Sequence, residues 1–230
     1  MRIACLHTAH SNIAVFDRAA ASVFGNPARA TLQHHVRPDL LEAAERAGGM
    51  TESIAGATHA AMHALTVSAD ALLLTCSTLG PAADSLSATH AVPVLRVDRA
   101  LARDALRSGG SVVVLCAVAT TVAPTRQLFE SVSDALPQRR TATVEVRVVA
   151  GAWDDFKAGD VDAYLRAIAH AAETAYAQGA DTVALAQASM AGAAAFTRSD
   201  KTPLSSPAAG LRAALAAVEM SNAQGAIFTP

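Results

Sequence analysis

Cys76 lies in the stretch ALLLTCSTLGPAA, Ala71 to Ala83, where an apolar run gives way to a thiol among hydroxyls and then to Gly-Pro. The run predicts a strand, and Gly80 and Pro81 predict the first turn of a helix, because proline is tolerated where its missing N–H would be unpaired anyway. A thiol facing free N–H groups at a helix start has its thiolate stabilised, which can bring a pKa of about 8.5 toward neutrality. Such a thiol can act as a base, and the same N–H groups with the hydroxyls of Ser77 and Thr78 would bind a carboxylate. Free cysteine is also among the most buried residue types. By position alone, Cys76 fits either a working thiol or a packing residue.

Comparable polar turns follow other predicted strands. Cys5-Leu6-His7-Thr8-Ala9-His10-Ser11-Asn12 follows the first, and Ala119-Thr120-Thr121-Val122-Ala123-Pro124 follows the fifth. Hydroxyls there serve ordinarily as helix caps. What favours binding is that each turn offers small donors and no bulky apolar plug, as a small anion requires. Imidazole titrates near neutral pH, so His7 is a candidate for acid-base support and His10 for substrate contact. Strand alternation would turn only one of His34 and His35 toward a site. Cys5 and Cys116, within apolar strands, are read as packing residues.

The elements that must position these groups are short apolar runs alternating with longer helical patterns, the signature of a parallel α/β sheet. Strands are predicted at Arg2 to Leu6, Ala30 to His35, Ala71 to Thr75, Val92 to Leu95, Ser111 to Cys116, Thr143 to Val149, Thr182 to Ala186 and Thr202 to Leu204. The clearest helix is Val161 to Gln178, with Asp160 as its cap, Tyr164, Ile168, Ala171 and Ala175 on one face, and Gly179 at its end. An internal repeat organises the rest. DALLLTCSTLGPAA from Asp70 aligns without a gap to DTVALAQASMAGAA from Asp181, setting Cys76 against Gln187 and Thr78 against Ser189. Further on, VPVLRVDRALARDAL from Val92 resembles TPLSSPAAGLRAAL from Thr202. The halves read as two copies of one βα unit facing each other across a crevice beyond their strand ends.

Composition removes several classes of function. Net charge is −2, and of 18 basic residues only Lys157 and Lys201 are lysines, without a basic block, so neither nucleic acid nor membrane is an expected partner. The 52% hydrophobic content is largely alanine, and no apolar run approaches the roughly 20 residues that span a bilayer. The opening MRIACLH turns polar too early for a secretory leader, and three scattered cysteines make no disulfide framework, so a cytoplasmic location is expected. No His, Cys or carboxylate set shows ligand spacing on a helix face, and no metal is expected. GxGxxG, P-loop and G-x-S-x-G patterns are absent from the strand ends, and the Gly48-Gly49 and Gly109-Gly110 pairs read as turns at helix ends.

The TCSTLG and LAQASMAG turns, the AVATTVAPT turn between them and the proline-led strand late in each half resemble the aspartate/glutamate/hydantoin racemase superfamily over nearly the whole chain. The resemblance implies an α/β fold of two similar lobes, each a small parallel sheet flanked by helices, related by a pseudo-twofold with the active site between them. The first lobe would comprise residues 1–98 with 208–230, and the second 99–207. It implies an enzyme needing no cofactor or metal, in which a cysteine from each lobe works on a carbon next to a carboxylate. Cys76 matches the first-lobe cysteine, and Ser77, Thr78, Thr120 and Thr121 match donors to the substrate carboxylate. Thr8, His10, Gln187, Ala188 and Ser189 complete the candidate substrate-binding set.

The departure is Gln187, which stands where the second cysteine belongs and has no useful pKa. Losing one of two proton-transfer groups typically forfeits about 10² to 10⁴ in rate, so racemisation by two opposed thiols is not the expected mechanism. Relatives in the superfamily also include maleate isomerases and one-cysteine arylmalonate decarboxylases, the latter keeping the second-lobe cysteine. The expectation is a cofactor-independent enzyme, an isomerase or else a lyase, acting on a small carboxylate with Cys76 as its single thiol. The alternative is a carboxylate-binding protein without catalysis. A homo-oligomer, a dimer packed through alanine-rich faces such as Ala167 to Ala175, is also expected.

Overall fold

The computed structural model describes residues 1–25, 27–87, 90–136 and 142–227. All eight predicted strands are present: β1 Arg2–His7, β2 Thr31–Val36, β3 Ala71–Leu74, β4 Val94–Arg96, β5 Gly110–Cys116, β6 Ala142–Val148, β7 Thr182–Leu185 and β8 Leu204–Ser205. Between them lie α1 Ser11–Phe24, α2 Pro38–Ala47, α3 Glu52–Thr66, α4 Gly80–Ser87, α5 Val97–Leu106, α6 Val122–Asp134, α7 Ala152–Lys157, α8 Val161–Ala177 and α9 Ser206–Ile227. The strands form two wholly parallel four-stranded sheets, ordered β2-β1-β3-β4 and β6-β5-β7-β8, so the sequence repeat is a repeat of topology.

The chain divides into two compact units, Met1–Ala100 with Pro207–Pro230, and Leu101–Ser206. In the first, β3 is buried at every position, and Leu72 and Leu74 pack with Leu40, Ile54, Met62 and Leu79. Helix α9 belongs to this unit, and a Cβ on Gly210 would press on Val97 and Leu73, so glycine lets the helix approach the sheet closely. In the second, Val113, Leu115, Val183 and Leu185 pack against Tyr164 and Ile168 of α8. Central strands are covered on both faces and need no alternation. The edge strands β2 and β6 are half-exposed, and Glu145 and Arg147 of β6 pair with each other in solvent.

The leading aspartate of each repeat has one structural role twice over. Asp70 Oδ2 accepts the Arg2 N–H at 2.7 Å while the Asp70 N–H donates to the Arg2 carbonyl at 2.8 Å. Asp181 does the same to Ser111, at 2.9 and 2.8 Å. Each aspartate clamps the start of the neighbouring central strand. Gly110 has φ +83° and a Cβ there would strike the Asp181 carboxylate, so this glycine is required twice, by conformation and by space.

Two expectations change. Asp160 caps α8 as predicted, accepting the Ala163 N–H, but Ala169 and Ala172 are buried beside Tyr164, Ile168 and Ala175, while Ala171 is only half-buried. These alanines face their own unit's core and are already occupied by it. The LAQASMAG turn leads into a 3₁₀ helix, Ala188–Phe196, rather than the α-helix its counterpart enters. Met190, Ala193 and Phe196 recur at every third residue against the core, which suits a helix of three residues per turn.

Candidate active site

In the first unit the turns after β1 and β3 lie side by side, since Leu6 pairs with Leu74 across the parallel ladder. The Thr75 N–H and hydroxyl both bond the Leu6 carbonyl, at 3.1 and 3.0 Å, which fixes the end of β3. Cys76 comes next and is half-buried, followed by the exposed Ser77 and Thr78, and the Ser77 carbonyl accepts the Gly80 N–H where α4 begins. Thr8 is 8% exposed and His10 is open to solvent. His10 and Thr121 occupy the N-cap positions of α1 and α6, and neither uses its side chain as a cap. An ordinary capping role therefore does not account for His10 or Thr121.

The three thiols differ sharply. Cys5 is fully buried and its pKa is pushed up to about 12, by burial first and then by the charge of Asp17. Burial also raises Cys116, against weaker bonds from Thr121 and Thr125. Both stay protonated at neutral pH, as packing residues do. Cys76 is the thiol of the chain with solvent access.

His7 is buried completely, with Nδ1 2.8 Å from Thr75 Oγ1 and Nε2 2.9 Å from Nδ1 of His34. Its pKa is lowered to about 4, mainly by burial and then by His34, with Asp17 acting in the other direction. The ring is neutral and tethered at both nitrogens, a positioning group for Thr75 more than a free acid. His34 Nε2 reaches Asp17 Oδ1 at 3.0 Å, while His35 points to solvent. Spacing along the chain does not reveal this chain of contacts, because His34 comes from the adjacent strand.

The second unit repeats the arrangement with other groups. Leu115 pairs with Leu185, so the turn after β5 adjoins the turn after β7. Gln187 Oε1 accepts the buried Ala117 N–H at 2.7 Å, tying the two turns together and leaving the amide NH₂ as its donor end. Ser189 Oγ is 2.8 Å from the Tyr164 hydroxyl, a phenol whose pKa burial pushes up to about 12. Ala188 and Ser189 are half-buried, Thr120 is exposed, and the Thr121 hydroxyl donates back to the Val118 carbonyl. Tyr164 was legible in the sequence only as a core residue.

Gln187 is thus structural as well as a potential ligand. Substituting alanine strands the Ala117 N–H, and an unmet buried donor costs about 1–3 kcal/mol. Gln187→Ala should lower stability by that amount in urea melts with an unchanged slope, whereas Gln187→Glu, which keeps an acceptor, should cost less.

Residues 9–218 match the model of the Asp/Glu/Hydantoin racemase family. Three solved structures share the fold: an allantoin racemase from Pseudomonas fluorescens, 20% identical over 96% of this chain and 92% of its own, TM-score 0.68; an aspartate racemase from Picrophilus torridus, 14% identical over 96% and 94%, TM-score 0.66; and a glutamate racemase from Bacillus anthracis, 14% identical over 98% and 82%, TM-score 0.60. No curated protein sequence matches significantly. Among the described residues no helix is long and apolar enough to cross a membrane.

Proposed function

The chain belongs to the Asp/Glu/hydantoin racemase family, and from that premise we propose that it is a cofactor-independent enzyme that moves a proton at the carbon next to the carboxylate of a small acid. Cys76 serves as its only thiol base. The observation that carries this reading is the contrast between corresponding turns: a half-buried thiol at Cys76, and at Gln187 an amide already bonded to Ala117. In the reaction Cys76 takes the α-proton as thiolate. The enediolate that results is held by donors from the turns, among them the hydroxyls of Ser77, Thr78, Thr120 and Thr121 and the Gln187 amide. Thr8, His10, Ala188 and Ser189 complete the substrate-binding set. With one thiol, the proton returns to the face it left.

That restriction gives a measurable signature. Single enantiomers of aspartate and glutamate, the acids for which two of the structural neighbours are named, are incubated with the protein in D₂O and followed by proton NMR and chiral chromatography. The acid that serves as substrate should lose its α-proton signal much faster than it loses optical purity. Racemisation in step with exchange would mean a second proton carrier and would overturn the one-thiol mechanism. The same single-sided chemistry supports a decarboxylase or cis-trans isomerase as the second reading, which carbon dioxide release or maleate conversion would distinguish. Binding of the acid with neither exchange nor turnover would leave a carboxylate-binding protein.

A further inference from the structure

Cys5, His7 and His34 bring one ligand atom each to within 4.8 Å of one another. Cys5 and His7 are two residues apart on β1, so their side chains leave the same face of the sheet, and β2 places His34 directly beside Cys5 in the ladder. The two imidazoles turn their near nitrogens, His7 Nε2 and His34 Nδ1, toward each other at 2.9 Å. Their far nitrogens are both engaged, Nδ1 of His7 by the Thr75 hydroxyl and Nε2 of His34 by the Asp17 carboxylate. In metal sites a ligating histidine typically has its other ring nitrogen fixed by a carboxylate, carbonyl or hydroxyl partner, which sets tautomer and orientation. Here both rings have that partner, and the near nitrogens, which bond each other while no ion is bound, point at one place beside a thiol.

We propose that Cys5, His7 and His34 form a binding site for one divalent ion of the zinc class, with Asp17 and Thr75 orienting the two imidazoles. Tetrahedral bonds of about 2.0–2.1 Å to nitrogen and 2.3 Å to sulfur set ligand atoms about 3.3–3.6 Å apart, so the nitrogens need to open by only a few tenths of an ångström and the sulfur to close by at most about 1.3 Å. Thiolate with two imidazoles favours zinc, cobalt or copper over magnesium or calcium. The thiol proton of Cys5 passes to solvent as the ion binds, since a coordinating sulfur is deprotonated outright. Asp17 is the solvent-exposed partner of the set, on the side of His34 away from the ion. Cys76 is not one of the ligands, so the ion braces the β1 turn rather than engaging the thiol base.

Chelator-treated full-length protein titrated with Co²⁺ tests this directly. The expected result is one ion per chain with a thiolate-to-cobalt charge-transfer band in the near ultraviolet. Cys5→Ser should abolish that band and His34→Gln should weaken binding at least tenfold with unchanged far-ultraviolet dichroism. Asp17→Asn should keep the band and lose about 10- to 100-fold in affinity. Cys76→Ser and Cys116→Ser should bind as the parent does. The exposed His63–His90 pair, 3.0 Å apart, can also take cobalt but contributes no thiolate band. Absence of the band from the parent protein, its survival in Cys5→Ser, its loss in Cys76→Ser, or unaltered affinity in His34→Gln would each overturn the site.

Discussion

Cys76→Ala is expected to lower turnover of the acid identified by exchange in D₂O by about 10² to 10⁴, the usual worth of a positioned proton-transfer group. Cys5 and Cys116 cannot replace it, being buried with raised pKa values. Cys76 combines partial exposure with a strand end anchored by Thr75 and the start of α4 four residues on. It is the thiol that a substrate could reach, at the end of an anchored strand. Cys76→Ser should be almost as damaging, because a hydroxyl is far less acidic than a thiol. Folding should be nearly unaffected, since the side chain only borders the core around Leu74 and Leu79. Activity undiminished in Cys76→Ala, measured on protein with an intact dichroism spectrum, would remove Cys76 from the mechanism.

The fold was legible because its central strands are unbroken apolar runs bounded by glycine, proline and polar turns, and because each unit repeats the other. Ends shifted by one or two residues where backbone partners decide them. Pro93 cannot donate to the ladder, so β4 starts after it, although its carbonyl still accepts the Leu72 N–H. The 3₁₀ helix at Ala188–Phe196 was not legible from propensity, since alanine favours the α-helix. Its form follows from what the core accepts at Met190, Ala193 and Phe196.

The site was legible in part, and the division is physical. Turns after strands can be read locally, so Cys76, Ser77, Thr78, Thr120, Thr121 and Gln187 fall where the alignment of the repeat and the strand ends put them. Contacts between strands cannot be read that way. His7 meets Thr75 across 68 residues and His34 across 27, and Gln187 meets Ala117 across 70. The matched aspartates illustrate the converse. Asp70 and Asp181 are matched polar positions, and their purpose is to hold strand starts rather than to line a site.

Asp98→Ala is expected to destabilise the fold by about 3 kcal/mol, at the lower end of the about 3–5 kcal/mol for breaking a buried ion pair. The Arg96 and Asp98 side chains are only 10% and 11% exposed and pair through two bonds, Nε to Oδ1 at 3.0 Å and Nη2 to Oδ2 at 2.8 Å. Burial alone would lower the Arg96 pKa, and the bonds to Asp98 and then Asp84 outweigh it, so the guanidinium stays charged. Removing Asp98 leaves that charge with Asp84, which is 40% exposed and shared with Arg99, and this second partner keeps the loss from being larger. The Arg96 guanidinium also fills the space a Cβ on Gly80 would need, so the pair borders the first turn of α4, four residues beyond Cys76. Denaturant melts of Asp98→Ala, Asp98→Asn and Arg96→Met/Asp98→Ala test the account. Asparagine should cost less than alanine because it keeps hydrogen-bonding atoms, and the double variant should recover part of the loss because no buried charge is left unpaired. A cost for Asp98→Ala below about 1 kcal/mol would make this an ordinary surface pair.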